Sequence, residues 1–334
     1  MKGLVIGGGS IGRRHIGNLA TLGVHDLAVA EPVKERRRAI ESEFGVIGFE
    51  GLDHGLAWEP DLVVIATPTY LHCAQTLAAA RVGCHLFVEK PLFHLESLGR
   101  GIVDAISGSD TISMVGCNFR FHPGLSRIKQ ILDDQNLGRV YFARVFGGSY
   151  LPDWHPDEDY RKGYSARSTM GGGCVLDGIH LIDLAYWFLG DIEKVAASVG
   201  RVGDLDIDVE DVLSAIQLHA DGGRSEVHVD YLQRFRILGC HIAGTEGSVA
   251  WDWDVPEVRL ATLASSQWES EPLSKSWDPN QMYLDEMDHF LECVKEGRQT
   301  MNPIPSAVNV TLAALAAKQS SGEQRFVNVG ELDA

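Results

Sequence analysis

The first 120 residues alternate between short runs that are apolar throughout and longer runs with helical spacing. Leu4-Val5-Ile6, Leu27-Ala28-Val29-Ala30, Asp61 to Ala66, His85 to Val88 and Ile112 to Cys117 read as strands buried on both faces, as in parallel sheets. Helical patterns lie between them. One carries Ile16, Leu19 and Ala20 and ends near Gly23; another is opened by His72 and runs to about Val82. Strands alternating with helices at this spacing predict a doubly wound parallel sheet.

The period changes after about Arg120. A helix is predicted over Pro123 to Asp133. Alternating runs follow at Val140 to Ser149, Val195 to Arg201, Val209 to His219, Ser225 to Arg234, Leu238 to Ala243 and Ser248 to Trp253. Period-two alternation marks strands with one buried face. Asp221-Gly222-Gly223 and Thr245-Glu246-Gly247 read as hairpin turns. Helices near Gln281 to Lys295 and Ser306 to Ser320 close the chain. The expected architecture is α/β. Residues 1–121 form an N-terminal doubly wound parallel (Rossmann) sheet, and residues 122–334 a C-terminal α+β domain with a large, mainly antiparallel sheet.

Charge narrows the partners. Lys plus Arg total 29 against 46 Asp plus Glu, a net charge of −17 over 334 residues. Such a balance argues against a nucleic-acid or anionic-membrane surface, and any anionic substrate needs a local basic pocket. The six cysteines are scattered without C-x-x-C spacing and read as reduced, buried thiols of a cytoplasmic protein. The N-terminus enters a strand at once, which leaves no room for a signal peptide, and no apolar run reaches membrane-spanning length.

The first chemical stretch follows the first strand. Gly7-Gly8-Gly9-Ser10-Ile11-Gly12 is a G-x-G-x-x-G turn with a strand before it and a helix after it. Gly7 permits the tight turn, Gly9 lets backbone approach a pyrophosphate, and Gly12 lets helix and strand pack closely. The N–H groups that open the helix, at Ser10 and Ile11, suit the phosphates. Glu31 ends the second strand, about 20 residues on, where an acid binds the adenosine ribose diol. A carboxylate there repels a 2′-phosphate, so NAD is favoured and NADP remains possible. Lys34, Arg36, Arg37 and Arg38 follow on the next helix and read as a solvated face.

Thr67, Pro68 and His72 sit at the carboxyl edge of the third strand, near the expected cofactor; His72 also fits local packing at a helix start. The fourth strand runs into Glu89-Lys90-Pro91. Proline stops the strand, and a lysine at a parallel strand's carboxyl end points into the crevice where α/β sheets bind ligands. X-Pro is also where a cis peptide is cheap.

The second chemical stretch lies among the later strands. A long polar loop runs from Tyr150 through Trp154, Arg161, Tyr164 and Arg167 to Gly171-Gly172-Gly173. A helix then carries Asp177, His180 and Asp183 on one face, stepping slowly round it, with Ile179, Ile182, Ala185 and Leu189 toward a core. An Asp-His-Asp stripe suits a general base with a carboxylate to orient it, and a solvated polar stripe fits the same pattern. No Cys or second His stands at ligand spacing, so no metal is expected.

Together these motifs resemble the glucose-fructose oxidoreductase, inositol dehydrogenase and rhizopine-catabolism (Gfo/Idh/MocA) family over nearly the whole length. The resemblance rests on the glycine turn, Ala66-Thr67-Pro68 with His72, Glu89-Lys90-Pro91, Asn118 and Arg120, Gly171 to His180 to Asp183, and Gly244-Thr245-Glu246-Gly247. It implies an N-terminal NAD(P) domain contacted by Thr67, Pro68, His72, Glu89 and Lys90. It also implies an open C-terminal sheet whose face pairs subunits into a homodimer or homotetramer, and catalysis between the domains.

Carried over residue by residue, Lys90, His180 and Asp177 are catalytic and face the substrate, and Asn118 and Arg120 join the substrate side. Asp177 and His180 are three apart where many members have four, so Asp183 competes with Asp177 to orient His180. A subset of relatives from cell-surface sugar gene clusters shares this spacing and resembles the loop. The implied chemistry is reversible hydride transfer at a secondary alcohol of a sugar, sugar acid or nucleotide sugar. His180 takes the proton and Lys90 stabilises the oxygen, with Arg161, Tyr164 and Arg167 as loop candidates for the sugar. Two alternatives stand beside it: a redox-neutral, NAD-dependent glycosidase and a non-catalytic NAD or sugar sensor.

Overall fold

The computed structural model describes residues 1–95, 99–154, 156–274 and 277–332. Packing divides the chain into two compact units: residues 1–118 with 279–308, and residues 119–278 with the chain from 309 onward. A single cut after residue 121 therefore does not describe the packing, because 279–308 returns to the first unit. Hydrogen bonds hold it there. Val115 N–H donates to the Asn302 carbonyl (2.9 Å), Asn302 Nδ2 donates back to the Val115 carbonyl (2.9 Å), and Thr300 Oγ1 donates to the Ser113 carbonyl (2.6 Å).

The first unit runs β1 (Lys2–Ile6), α1 (Ser10–Thr21), β2 (Asp26–Ala30), α2 (Lys34–Phe44), β3 (Ile47–Phe49), α3 (Leu52–Leu56), β4 (Leu62–Ile65), α4 (Thr69–Arg81), β5 (His85–Glu89), α5 (Gly99–Ile106) and β6 (Ser113–Gly116). Its sheet is parallel throughout, in the order β3-β2-β1-β4-β5-β6. Leu4, Val5, Val63, Val64, Phe87 and Val88 are fully buried, which is why these strands read as continuous apolar runs. Only β3, three residues with Ile47 half exposed, carried no such signal. Strand order reverses between β1 and β4, so the carboxyl ends of these strands border the crevice where such sheets take ligands. The Lys90-Pro91 peptide after β5 is cis.

The second unit runs α6 (Pro123–Asp133), β7 (Val140–Gly148), α7 (Cys174–Asp177), α8 (His180–Leu189), β8 (Ile192–Gly200), β9 (Val212–His219), β10 (Arg224–Asp230), β11 (Ile237–Gly244), β12 (Gly247–Asp252), β13 (Glu257–Thr262), β14 (Glu269–Pro272) and β15 (Val327–Asn328). These strands form one sheet in the order β14-β13-β12-β11-β7-β10-β9-β8-β15. Every pairing is antiparallel except β7 with β10. Asp221-Gly222-Gly223 and Thr245-Glu246-Gly247 turn the β9–β10 and β11–β12 hairpins.

Helix α8 packs on β7 and β10, and inward positions such as Val145, Ala215 and Val227 are buried. The opposite face is open. Arg144, Ser198, Ser214, Ile216, Glu226 and His228 line a shallow concavity of about 490 Å³ there.

Two sequence expectations change. The strand expected from Val209 starts at Val212, because Asp211 turns its carboxylate to the N–H groups of Val202 (2.8 Å) and Gly203 (2.9 Å). The helix expected to carry Asp177, His180 and Asp183 on one face is two helices broken at Gly178 and Ile179. The segments on either side of the break bend by 47°. A Cβ at residue 178 would lie 2.3 Å from Val229 Cγ1, so at the break the backbone sits directly on β10 and only glycine fits. Asp177 and Asp183 are both buried, so no solvent-facing acidic stripe exists. Ile179, Ile182, Ala185 and Leu189 do form the core face.

Candidate active site

In the first unit the glycine turn has the features a pyrophosphate requires. Gly7 has φ +98° and a Cβ there would meet the Ala66 carbonyl at 2.6 Å, while a Cβ at residue 12 would sit 1.9 Å from the Gly7 carbonyl. Gly9, by contrast, faces open space. It caps α1 without any side-chain hydrogen bond, and the first turn holds no acid. The N–H groups opening α1 at Ser10, Ile11 and Gly12 are thus an uncapped, positive helix end, which suits an anion.

Glu31 is buried at the end of β2. Its carboxylate accepts the Gly8 N–H (2.8 Å) and the Val33 N–H (2.9 Å), tying the glycine turn to the start of α2. Arg36, read from sequence as solvated, is half exposed yet reaches Glu31 at 3.2 Å, and Arg37 donates to the Glu31 carbonyl at 2.6 Å. A carboxylate offers about four lone-pair sites, so room remains for a ribose hydroxyl.

At the carboxyl end of β4, Thr67 Oγ1 donates to Gln75 Oε1 (2.6 Å) and Pro68 precedes α4. His72 turns both ring nitrogens to backbone carbonyls, Nδ1 to Pro91 (2.8 Å) and Nε2 to Thr67 (2.7 Å). A neutral ring carries one N–H, so it donates to one of these two carbonyls at a time. Burial pushes the His72 pKa down, against the pull of the two carbonyls and Glu89. The Glu89 carboxylate meets His15 Nε2 at 2.6 Å and accepts the Lys90 N–H at 3.3 Å. His15 was not singled out from sequence. A signal existed, since it lies four residues from both Ile11 and Leu19, on the apolar stripe of α1.

In the second unit His180 opens α8 and stacks on Phe119, with ring centroids 4.6 Å apart and planes at 28°. Asp177 accepts from Tyr164 Oη (2.6 Å), Ser165 Oγ (2.6 Å) and Tyr231 Oη (3.1 Å). Burial, and then the Asp177 charge, push the Tyr231 phenol well above its ordinary range, so it stays a donor. Asp183 instead engages Arg120, and both side chains are almost wholly buried. That commitment of Asp183, and Ser165 and Tyr231 on Asp177, were also invisible in the sequence.

The loop arginines are paired. Arg161 donates to Asp159 at 2.7 and 3.0 Å, and Arg167 lies 3.6 Å from Asp208. Tyr164 keeps its ring partly exposed while its hydroxyl is on Asp177. Asn118, the last residue of the first unit's main segment, is buried. All six cysteines are buried thiols, Cys117 among them. Among the described residues no group of three or more His, Cys, Asp or Glu is placed to hold a metal.

A doubly wound parallel sheet with an open glycine turn and a buried acid at the end of β2 defines a dinucleotide-binding oxidoreductase domain, here joined to a nine-stranded sheet unit. The chain belongs to the GFO/IDH/MocA family. The model for the oxidoreductase family with an NAD-binding Rossmann fold matches residues 1–116, and that for the GFO/IDH/MocA C-terminal domain matches residues 125–250. The chain is 24% identical to levoglucosan dehydrogenase of Pseudarthrobacter phenanthrenivorans, over 99% of this chain and 98% of that protein. It is 26% identical to myo-inositol 2-dehydrogenase of Thermotoga maritima, over 98% of each. A solved structure of levoglucosan dehydrogenase in complex with NADH and L-sorbose superposes with TM-score 0.90 at 21% identity, covering 100% of both chains. The chain is an NAD(P)-dependent oxidoreductase of this family.

Proposed function

We propose that the chain is a dehydrogenase acting on a secondary alcohol of a sugar or sugar derivative. The observation that carries this reading is the retention of both a lysine at the end of β5 and a histidine at the start of α8, in a chain similar along its whole length to dehydrogenases of levoglucosan and inositol. Bound NAD supplies the hydride acceptor. Ser10, Ile11 and Gly12 would hold its pyrophosphate with backbone N–H groups, and Glu31 its adenosine ribose; Thr67 and Pro68 border the same crevice. Lys90 donates a hydrogen bond to the substrate oxygen and stabilises charge developing there. His180 takes the hydroxyl proton at an imidazole nitrogen.

Asp177 acts as a positioning residue that fixes Tyr164 and the loop before α7, and Arg120 with Asp183 supports α8 from below. Because Arg161 and Arg167 are paired with loop acids, the reading favours a neutral polyol over an anionic sugar. The open face of the second sheet, apolar at Ile216 and lined with Arg144 and Glu226, supports assembly into a dimer or tetramer. The buried thiols fit a reducing cytoplasm. The deciding experiment is a screen of sugars, sugar acids and nucleotide sugars for net NADH formation. NADH release with a sugar supports a dehydrogenase; sugar conversion without it refutes that reading in favour of redox-neutral chemistry.

A further inference from the structure

Lys90 lies between two residues that are each held by a buried histidine from a different helix. On one side Glu89, 9% exposed, meets His15 Nε2 at 2.6 Å, and His15 is fully buried on α1, the helix that the glycine turn opens. His15 also packs edge-on against Phe87 of β5, with ring centroids 5.1 Å apart. The Glu89 carboxylate in turn takes the N–H of Lys90 itself, at 3.3 Å. On the other side the Pro91 carbonyl faces His72 Nδ1 at 2.8 Å. His72 is 1% exposed on α4, and its second nitrogen faces the Thr67 carbonyl at 2.7 Å.

We propose that His15 and His72 are positioning residues that brace the backbone of Lys90 from both sides. The proposal rests on the reading of Lys90 as the lysine that contacts the reacting oxygen. A lysine ammonium sits on a flexible four-carbon stem, so where its backbone is held sets what the side chain can reach. Strand β5 ends at Glu89, which leaves Lys90 and Pro91 beyond the ladder. The two imidazoles reach the residues on either side of Lys90: His15 the Glu89 carboxylate, His72 the Pro91 carbonyl. They also bind the lysine's position to the two cofactor segments, His15 to the helix of the glycine turn and His72 to the Thr67-Pro68 edge. Both histidines touch Lys90 only through its neighbours, so neither is assigned a chemical step.

The test is a set of cycles in turnover, using the sugar that gives the fastest NADH formation in the screen above. Lys90→Ala, His15→Ala and His72→Ala are made singly, and each histidine change is repeated in the Lys90→Ala background. A displacement of about 1 Å at a reacting group costs on the order of 100-fold, so each single histidine change should lower kcat by roughly 10- to 100-fold. NAD affinity, read by nicotinamide fluorescence, should move by less than about 3-fold in His15→Ala; His72→Ala, at a cofactor-edge residue, is judged on kcat and on the Lys90→Ala background. In the Lys90→Ala background the histidine changes should have almost no further effect on kcat, because they act through a side chain already removed.

The proposal is overturned if the histidine factor persists in full in that background, or if kcat and NAD affinity fall together in His15→Ala as in general unfolding. Near-normal turnover in Lys90→Ala fails the reading of Lys90 instead, and is distinguishable on that ground. A second readout needs no sugar: the ¹³C resonance of reductively methylated Lys90, assigned by its loss in Lys90→Arg, should move in both histidine variants. An unmoved resonance overturns the bracing. Where His15→Ala does not fold, Glu89→Gln keeps the shape and weakens the same bond.

Discussion

Asp183 sets both carboxylate oxygens on the Arg120 guanidinium, at 2.8 Å to Nε and 2.6 Å to a terminal nitrogen, with both side chains almost wholly buried. The guanidinium also lies 5.6 Å from the Trp187 ring centroid, so the pair anchors α8 to the turn after β6. Taking one partner away leaves an uncompensated buried charge. Asp183→Ala should therefore cost about 3–5 kcal/mol of stability, whereas replacing both as Arg120→Met with Asp183→Leu should recover most of it. Urea unfolding of the three variants checks this. Equal losses in single and double variants would mean that shape, not charge pairing, makes the site sensitive.

On the proposed reading Glu31 meets the adenosine ribose. Its carboxylate repels a 2′-phosphate, and Arg36 at 3.2 Å offsets part of that repulsion. Native protein should bind NAD more tightly than NADP, and Arg36→Ala should widen the gap. Glu31→Gln should narrow it by roughly 10-fold, about 1.4 kcal/mol. Fluorescence titration of both reduced cofactors measures the ratio. Tighter NADP binding by the native protein would move the specificity to the α2 arginines.

Lys90 and His180 should separate chemistry from cofactor affinity. By analogy with loss of one oxyanion donor, Lys90→Ala should lower kcat on the order of 100-fold or more. His180→Ala removes the proton acceptor, typically worth about 100- to 10,000-fold. On the proposed reading, in which the glycine turn and Glu31 supply most of the cofactor contacts, NAD binding should fall far less than turnover in both. Turnover beside cofactor titration is the measurement. A His180→Ala variant with nearly normal turnover would hand the proton to another group.

His122 gives a pH signature. Burial, and then the charge of Arg236, lower its pKa to about 4, and its Nδ1 accepts the Gly124 N–H at 3.1 Å to cap α6. Between that value and the ordinary histidine pKa the unfolded chain binds the proton and the folded chain does not. This group's contribution is thus complete above about pH 6.5 and is lost as pH falls through that window, by about 3 kcal/mol. His122→Asn keeps a capping oxygen and removes the titration. It should flatten the fall in urea midpoint between pH 7 and pH 4.5 relative to the native chain; identical slopes would assign the acid sensitivity elsewhere.

What the sequence determined by itself was the local chemistry. The glycine turn, Glu31 after β2, Lys90 after β5 and the hairpin at Asp221-Gly222-Gly223 were all legible, because each depends on backbone conformations set within a few residues. The continuous apolar runs likewise announced strands buried on both faces. Tertiary structure decided the rest. Whether Asp177 or Asp183 was free depended on Arg120, 63 residues before Asp183 in the chain, and on Tyr231, 54 residues after Asp177. At the break before His180 the backbone of Gly178 lies on Val229, which no helical periodicity can register. His15 acquired its role from Glu89, 74 residues away, and residues 279–308 rejoined the first unit through hydrogen bonds to β6. Helical and strand periods report which face is buried. They carry no information on which distant polar group waits there, because such a pairing is settled only when the elements pack.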